Sequence, residues 1–464
     1  MSVRKGEDID ASITEMAFGG RGLCRIDSMV VFVDQAVPGD RARIRIIRKK
    51  KNHAEARILE LLEASPDRVE APCPYSGVCG GCKWQFLAYP RQVEYKRRHV
   101  EESLRHIGGI EDVLVHPTLP SELIFGYRNK MEFSCADQRW LMPDELGRPD
   151  LEKDFALGLH VPGTFHKVLD TQACLLQPEL GNRILGAARD GMKISGRPPY
   201  GLKSHEGFWR FLMLRHSVAF DQWMVNLITA SEDREAVDRL AAEIRNRFPR
   251  VVSVVNNITA RKAAVAIGER EVHLAGTSSI RDRIGPYEFE ISSNSFFQTN
   301  TRGALRLYET VRQYAGLSGE ETVVDLYCGT GTIAIFLSSD ARSVVGLEIV
   351  ESAVRDADAN CRLNGVTNCR FVLGDIRQQL AGLPEVPDVM IIDPPRDGMH
   401  KDVVRQVIDM APKRVVYVSC NPATLARDLL IMKERYQVCE VQPVDLFPHT
   451  WHIEAVARLE RIPS

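Results

Sequence analysis

Long hydrophobic runs, a dominant charge and low-complexity tracts are all missing from this sequence of 464 residues. No stretch of about 18 apolar residues runs unbroken, so neither a membrane-spanning helix nor a membrane partner is expected. The start of the chain lacks the apolar core of a secretory signal, which predicts a cytoplasmic protein. Glycine and proline are at ordinary levels, and no internal repeat is present. The length predicts a globular chain of about two to four domains.

The basic residues are concentrated in two runs, although the formal net charge is only −2. The first run lies between Arg41 and Arg57, where Glu55 is the one acidic residue. The second is Lys96-Arg97-Arg98-His99. Either run suits contacts with phosphates, and either also suits a solvated charged face. The charge distribution therefore leaves a polyanionic partner open.

Apolar patterning and turn residues divide the chain into four regions. Residues 1–62 alternate apolar and polar positions between glycine-containing turns, which predicts a small β-barrel. Residues 63–115 hold a cysteine cluster and a linker, and residues 116–280 mix strands with a helix near 232–248, as in an α+β domain. Residues 281–464 alternate strands and helices, which predicts a Rossmann-like α/β domain with a parallel sheet. Its expected strands are 322–326, 343–347, 370–373, 388–392 and 414–419.

A glycine-rich turn and a set of spaced acids predict a cofactor site in the last region. The turn Cys328-Gly-Thr-Gly-Thr332 follows the first strand, and Glu348, Asp375 and Asp393 follow the next three. Carboxyl ends of parallel strands are where such sheets bind ligands. Neither a GxGxxG fingerprint nor a P-loop is present, so the pattern fits S-adenosylmethionine better than a dinucleotide. The alternative interpretation of Asp325 expects a structural role, in which it holds the turn through hydrogen bonds to backbone amides.

Two residues near the C-terminus form a candidate catalytic pair. Cys420 follows the strand 414–419, and Glu454 lies in the segment Asp445-Leu-Phe-Pro-His-Thr-Trp-His-Ile-Glu454. A thiolate that adds to carbon 6 of a uracil makes carbon 5 nucleophilic, and a base must then remove the carbon 5 proton. Neighbouring backbone dipoles or Arg396 would favour the thiolate. A cysteine after a strand is otherwise most often a buried apolar residue.

Three segments around these residues resemble signatures of the RNA uridine-5-methyltransferases. They are Asp393-Pro-Pro-Arg-Asp-Gly398, Tyr417-Val-Ser-Cys-Asn-Pro-Ala-Thr424 and the segment that ends in Glu454. The resemblance implies that Cys420 is the nucleophile and Glu454 the base. It implies cofactor contacts at Gln298, Tyr327, Glu348 and Asp393. Thr332 stands where several relatives carry asparagine, and we leave it out of that set.

A run of three cysteines predicts a metal site or structural thiols. The run is Cys73, Cys79 and Cys82, and among eleven cysteines a fourth ligand is available at Cys135 or Cys174. The spacing is compatible with zinc, with an iron-sulfur cluster or with free thiols. The family resemblance implies a 4Fe-4S cluster held by Cys73, Cys79, Cys82 and Cys174.

The resemblance also implies an RNA partner. The first region resembles a TRAM domain, an OB-like module that binds RNA, and the Tyr127-Arg-Asn-Lys130 element resembles one that seats RNA. A target uridine must flip out of its stack, and Phe296 is placed to pack against it. The barrel together with the cysteine run resembles the RlmD type, so 23S rRNA is the expected substrate and tRNA the alternative. A monomer is expected.

Two other functions compete with this interpretation. Asp393-Pro-Pro395 also resembles a motif of enzymes that methylate exocyclic base nitrogens, but those would leave Cys420 and Glu454 without a role. A non-catalytic iron-sulfur protein that binds RNA would be expected to have lost the nucleophile or the base. Both residues are present.

Overall fold

The N-terminal region forms a six-stranded sheet that closes around its own core. The computed structural model describes residues 3–263, 265–383 and 385–463. The strands run in the order β1-β5-β6-β4-β3-β2. Alternate residues point inward, as shown by the buried Val31, Val33, Ile44 and Ile46 and the exposed Arg43. The strands are Asp8–Ser12 (β1), Glu15–Met16 (β2), Gly22–Ile26 (β3), Met29–Asp34 (β4), Arg41–Lys49 (β5) and His53–Glu63 (β6).

The segment after the cysteine run packs against the C-terminal domain. It contains Tyr89–His106 (α1) and Leu114–Val115 (β7), and β7 pairs in parallel with a strand of the last sheet. Lys96 and His99 of α1 are buried, so these two residues of the second basic run do not bind phosphate. Both residues lie on the buried face of α1, and His99 Nε2 is 3.0 Å from the Met16 carbonyl oxygen.

The central region is a mixed sheet with two helices. The sheet has the order β10-β8-β12-β13-β14-β15. The helix expected near 232–248 and the strands expected at 130–135, 223–228 and 251–256 are present within two residues of those ends, whereas the sequence did not predict α2 and β12. The elements are Lys130–Ala136 (β8), Arg139–Trp140 (β9), Ala156–Gly158 (β10), Val168–Leu169 (β11), Glu179–Ile194 (α2), Trp209–Ser217 (β12), Gln222–Thr229 (β13), Arg234–Arg247 (α3), Val251–Ile258 (β14) and Arg270–Gly276 (β15).

The C-terminal region is a sheet covered by helices on both faces. Its order is β20-β19-β18-β21-β22-β24-β23-β7, and β18 to β22 are mutually parallel. Val323 packs into one apolar layer and Val324 into the other, since successive side chains of a strand point to opposite faces. The elements are Ile280–Ile284 (β16), Tyr287–Ile291 (β17), Thr301–Ala315 (α4), Thr322–Leu326 (β18), Thr332–Leu337 (α5), Ser343–Glu348 (β19), Glu351–Asn364 (α6), Cys369–Leu373 (β20), Ile376–Gln379 (α7), Val389–Ile392 (β21), Lys401–Met410 (α8), Arg414–Ser419 (β22), Pro422–Met432 (α9), Tyr436–Val444 (β23) and Glu454–Arg461 (β24).

The parallel strands place the functional segments at one edge of this sheet. Each of the five expected strands is present within one residue of its predicted ends. Because β18 to β22 run in the same direction, the turns and acids that follow them meet at their common carboxyl edge. In the part of the chain that the structure describes, no helix is both long and apolar enough to cross a membrane.

Candidate active site

Cys420 lies between the end of β22 and the beginning of α9. The Ser419 hydroxyl accepts a hydrogen bond from the Asn421 amide at 3.2 Å, and the Asn421 side chain caps α9 by accepting one from the Ala423 amide at 3.1 Å. These bonds fix the turn on both sides of the thiol. Strand β24 runs antiparallel to β22, with Ser419 opposite Ala455. Cys420 and Glu454 are therefore the next facing positions at the edge of the sheet.

The thiol of Cys420 is held in its protonated form in the ligand-free protein. Burial, together with the carboxyl groups of Glu454 and Asp393, raises its pKa to about 11, although Arg396 acts in the opposite direction. Arg396 and a backbone hydrogen bond favour the thiolate as expected, but they do not bring the pKa of Cys420 to neutrality. Burial and two neighbouring acids raise the pKa of the thiol more than the one exposed cation lowers it.

Three acidic residues form a carboxyl cluster beneath the thiol. Burial raises the pKa of Asp393 to about 7. The pKa of Glu454 is well above its ordinary value because of burial and Asp393, and the same two causes raise that of Asp325. Among the described residues, Asp325 makes no side-chain hydrogen bond to the glycine turn, contrary to its expected role. Burial and mutual proximity thus disfavour the ionised carboxylates, and a positive charge placed beside them would favour the ionised forms and be attracted to them.

The glycine turn and Glu348 shape a pocket beside the cluster. The Glu348 carboxylate accepts hydrogen bonds from the amides of Gly329 at 3.0 Å, Ile349 at 2.8 Å and Val350 at 2.9 Å. Tyr327, with φ of 63°, turns the chain sharply out of β18. The Gly329 hydrogen bond thereby ties the turn to Glu348, which lines the pocket. The pocket is lined by Tyr327, Glu348, Ile349, Asp375, Ile376, Arg377, His400 and Val403.

The loop that carries Gln298 closes the other side of the turn. The Thr330 hydroxyl donates a hydrogen bond to the Phe296 carbonyl at 3.4 Å. Asn129 holds the loop from below, since its side-chain amide donates to the Gln298 carbonyl at 2.7 Å and to the Thr301 hydroxyl at 2.8 Å. Phe297 is buried in the core, whereas the side chain of Phe296 is 66% exposed. Phe296, and not Phe297, is free to contact a substrate.

Helix α1 anchors the segment that precedes Glu454. Lys96 Nζ lies 2.6 Å from Asp445 Oδ1, and both side chains are 0% exposed. The Gln92 side chain accepts a hydrogen bond from the His449 amide at 2.8 Å, and the His449 carbonyl accepts one from the amide of Lys83 at 2.8 Å. His449 itself has a φ of 64°, a strained value for a residue with a side chain. These contacts position residues 445–454 relative to the rest of the molecule.

Replacing Asp445 by asparagine is expected to destabilise the protein strongly. The change leaves the buried Lys96 charge without its partner, which costs about 3 to 5 kcal/mol. The melting temperature, measured by scanning calorimetry, should fall by several degrees. A matched control is Asp238→Asn, which removes an exposed ion pair with Arg234 and costs at most about 1 kcal/mol. Equal shifts in the two variants would contradict an anchoring role for the buried pair.

Four cysteines line a second pocket. Cys73, Cys79, Cys82 and Cys174 surround it together with mainly apolar side chains. The Gly81 amide donates to Cys79 Sγ at 3.3 Å, and the Gln85 side-chain amide donates to Cys82 Sγ at 3.3 Å. Cys135 lies elsewhere, 3.9 Å from Met192 Sδ in the central core. Across residues 3–263, 265–383 and 385–463, no three His, Cys, Asp or Glu side chains are grouped as a site for a metal ion.

Comparison with known proteins identifies the family. The model of the tRNA (uracil-5-)-methyltransferase family matches residues 215–376 and 385–462, which together exceed half of the chain. This chain belongs to that family. The TRAM domain model matches residues 2–59. The protein is thus an S-adenosylmethionine-dependent RNA (uracil-C5)-methyltransferase with a TRAM domain.

Relatives cover nearly the whole methyltransferase. An RNA methyltransferase of Chlorobaculum tepidum is 43% identical over 99% of this chain and 97% of its own length. One of Bacteroides thetaiotaomicron is 42% identical over 96% of this chain and 100% of its own. The solved structure of Pyrococcus abyssi tRNA (uracil-54, C5)-methyltransferase with S-adenosyl-L-homocysteine has a TM-score of 0.75 and 28% identity. It covers 97% of this chain and 99% of the other.

Sequence reasoning missed several residues that shape the site. Ile349 and Ile376 line the pocket without any distinguishing motif. Asn129 was noted only as part of an element that seats RNA, although its contact with the Gln298 loop makes it a positioning residue. The partnership of Lys96 with Asp445 had no signal in the sequence, because the two residues are 349 positions apart.

Proposed function

We propose that this methyltransferase modifies carbon 5 of a specific uridine in RNA through a covalent bond between Cys420 and carbon 6. The observation that carries the proposal is the convergence of Cys420, Glu454, Asp393 and Arg396. Cys420 and Glu454 occupy facing strand ends, and each is influenced electrostatically by Asp393 and Arg396. In this proposal the nucleophile and the base lie at the same carboxyl edge of the sheet as the proposed cofactor pocket.

The reaction proceeds in four steps in this proposal. The Cys420 thiol gives its proton to water, and the resulting thiolate bonds to carbon 6 while the π electrons of the carbon 5 to carbon 6 double bond move to the carbonyl at carbon 4. The nucleophilic carbon 5 then takes the methyl group of S-adenosylmethionine, whose methyl–sulfur bond breaks so that S-adenosylhomocysteine leaves. Glu454 next accepts the carbon 5 proton, and the sulfur to carbon 6 bond breaks to release the thiolate. Arg396 favours the ionised forms of both protein groups.

The proposed cofactor contacts are Gln298, Tyr327, Glu348 and Asp393. Tyr327 and Glu348 line the pocket beside the glycine turn, and Gln298 belongs to the loop bonded to that turn. Asp393 is part of the carboxyl cluster, where a sulfonium cation would be attracted. Glu348 already accepts three backbone hydrogen bonds, so a ribose hydroxyl would share its remaining acceptor capacity.

We propose 23S rRNA as the substrate and tRNA as the second candidate. The barrel presents exposed Arg48, Lys50 and Lys51 for phosphates, and the exposed Phe296 offers a surface for the flipped uridine. The combination of barrel and cysteine run supports 23S rRNA by resemblance. The similar Pyrococcus abyssi enzyme, named for uracil 54 of tRNA, also extends over the barrel and supports tRNA. A cytoplasmic monomer is part of the proposal.

Mapping of 5-methyluridine tests the proposal. The purified enzyme and S-adenosylmethionine are incubated with 23S rRNA and tRNA from a strain that lacks the gene. Nucleoside analysis should show new 5-methyluridine at one position or a few positions in one of the pools. An absence of 5-methyluridine from both pools would refute the proposed activity.

We propose a 4Fe-4S cluster bound by Cys73, Cys79, Cys82 and Cys174. All four thiols face one pocket, and backbone and side-chain amides already donate to two of the sulfurs. Hydrogen bonds of this kind occur at protein-bound iron-sulfur clusters. Methyl transfer requires no electron, so the cluster would organise the surrounding chain. Its segment leads directly into Lys83 and Trp84, whose amides bond to His449.

Anaerobic purification is expected to yield about four iron and four sulfide ions per chain. Cys174→Ala should lower both contents by removing one of the four ligands. Cys439→Ala is the matched control, because Cys439 lies on β23 outside the cysteine pocket and should leave the metal content unchanged. One zinc ion per chain, or equal iron in both variants, would contradict this assignment.

A further inference from the structure

A cluster of aromatic rings joins the TRAM barrel to the segment that carries Glu454. Phe18 packs edge-on against Trp451, with 4.9 Å between ring centroids. Trp451 lies against His452, with 4.2 Å between centroids. Only Ile453 separates His452 from Glu454 in the chain. The cluster is therefore shared by the barrel and the catalytic domain, next to the proposed base.

The turn that carries Phe18 approaches Trp451 closely because it contains glycine. Gly20 has a φ of 84°, and a Cβ at this position would lie 3.3 Å from Trp451 Cδ1 and 3.1 Å from Trp84 Nε1. The Gly20 carbonyl accepts a hydrogen bond from Trp84 Nε1 at 3.2 Å. The position of the turn on the catalytic domain is thus fixed by direct backbone contact.

This packing leaves aromatic surface open. The side chain of Phe18 is 41% exposed, and Trp451 and His452 are half-buried. Rings of this kind offer flat apolar surfaces on which other rings stack. Burial, followed by the nearby cations Arg396, Lys96 and Arg128, lowers the pKa of His452 to about 4. The imidazole is therefore an uncharged ring at neutral pH.

Cations lie around the rings. Lys83 lies beside the turn, since a Cβ on Gly20 would be 3.4 Å from Lys83 Cβ, whereas the Arg21 guanidinium lies over the Phe32 ring, 4.8 Å from its centroid, and 3.7 Å from Glu55. Arg396 acts on both His452 and Cys420, which connects the ring cluster to the nucleophile. Stacking rings bordered by cations are the combination that binds single-stranded nucleic acid. The neighbouring cations favour a polyanionic ligand over an apolar protein surface.

We propose that Phe18, Trp451 and His452 form a stacking site for an unpaired nucleotide next to the target uridine. The inference rests on the proposed function, because flipping one base from its stack exposes its neighbours. The site would hold the RNA strand between the barrel and Cys420. In this proposal the barrel contributes Phe18 to the stacking site, in addition to its contacts with phosphates.

Binding of fluorescein-labelled oligo(U) of about 15 nucleotides, followed by anisotropy without cofactor, tests the stacking site. Trp451→Ala should weaken binding about tenfold, since stacking on one ring has this effect. Trp451→Phe should stay within about threefold of the wild type. The slope of log Kd against log salt should not change, because no phosphate contact is lost. Trp140→Ala, at another exposed tryptophan beside a lysine, is the matched control and should bind normally.

If Trp451→Ala does not fold, photocrosslinking of the wild-type protein tests the stacking site instead. Oligo(U) that contains 4-thiouridine should crosslink to peptides carrying Phe18, Trp451 or His452. Crosslinks found only elsewhere, or unchanged affinity of a folded Trp451→Ala protein, would overturn the stacking site. Neither readout requires methyl transfer. Crosslinks at these rings without any 5-methyluridine would overturn the proposed activity instead.

Discussion

Replacing Cys420 by alanine should abolish methylation of RNA, with a loss of about 10⁴-fold or more in rate. Without the thiol, carbon 5 of the uracil is not activated, and the remaining residues of the site cannot substitute for a covalent bond to carbon 6. The variant should fold normally, since Cys420 is half-buried and its turn is held by Ser419 and Asn421. Transfer of radiolabelled methyl groups to RNA measures the loss.

A second measurement separates a lost nucleophile from lost RNA binding. RNA that contains 5-fluorouridine has no carbon 5 proton to remove, so the wild-type enzyme should form a complex with it that resists denaturing electrophoresis. Cys420→Ala should form none, yet should bind the same RNA with unchanged affinity. Cys439→Ala, a half-buried cysteine on β23, is the control and should retain both activities. Turnover by Cys420→Ala at the wild-type rate would exclude the covalent mechanism.

Replacing Glu454 by glutamine should stop the reaction one step later. The amide keeps the size of the side chain but cannot accept the carbon 5 proton, so the methylated adduct with Cys420 should accumulate. Burial and the neighbouring Asp393 raise the pKa of Glu454 well above its ordinary value, so the uncharged form of the side chain is favoured in this environment. Glutamine has the same size and no charge, and folding should be preserved.

The predicted outcome is about one methyl group transferred per protein molecule, bound in a denaturation-resistant complex with RNA. Gel electrophoresis with labelled cofactor detects this complex directly. Glu434→Gln is the matched control, because Glu434 lies on the surface in an ion pair with Arg405. Release of 5-methyluridine at the wild-type rate by Glu454→Gln would assign the base to another residue.

The strands and turns of the catalytic domain could be predicted from local sequence because they are buried apolar runs that end in glycine or acidic residues. β18 and β22 begin and end at the predicted residues. α2 and β12 were missed in the central region. α2 begins after Pro178 without a side-chain cap, which is a weak signal for a helix start. The spacing of apolar residues and the positions of turn residues predict the structure of short segments. They do not predict which residues far apart in the chain contact each other.

The electrostatics of the site depended on the tertiary structure. The second basic run suited phosphates in the sequence, yet α1 buries Lys96 against Asp445. Arg396 is close enough to influence Cys420, but burial and two carboxyl groups outweigh it. A pKa depends on every charge within several ångströms and on the depth of burial, and neither is fixed by neighbours in the sequence.

The sequence by itself determined the reaction class, and it predicted the residues that we propose to carry the reaction, because Cys420, Glu454 and the acids after the strands stand in local motifs. It also determined that four cysteines were available for one site. The spacing left Cys135 and Cys174 open as the fourth, the family resemblance implied Cys174, and the structure has Cys174 lining the pocket of the other three. Only the tertiary structure decided that Phe296 is exposed while Phe297 is core, and that the barrel reaches Trp451. The reason is physical. Motifs fix which chemical groups are present, whereas packing of distant segments fixes which groups meet and how much water each retains.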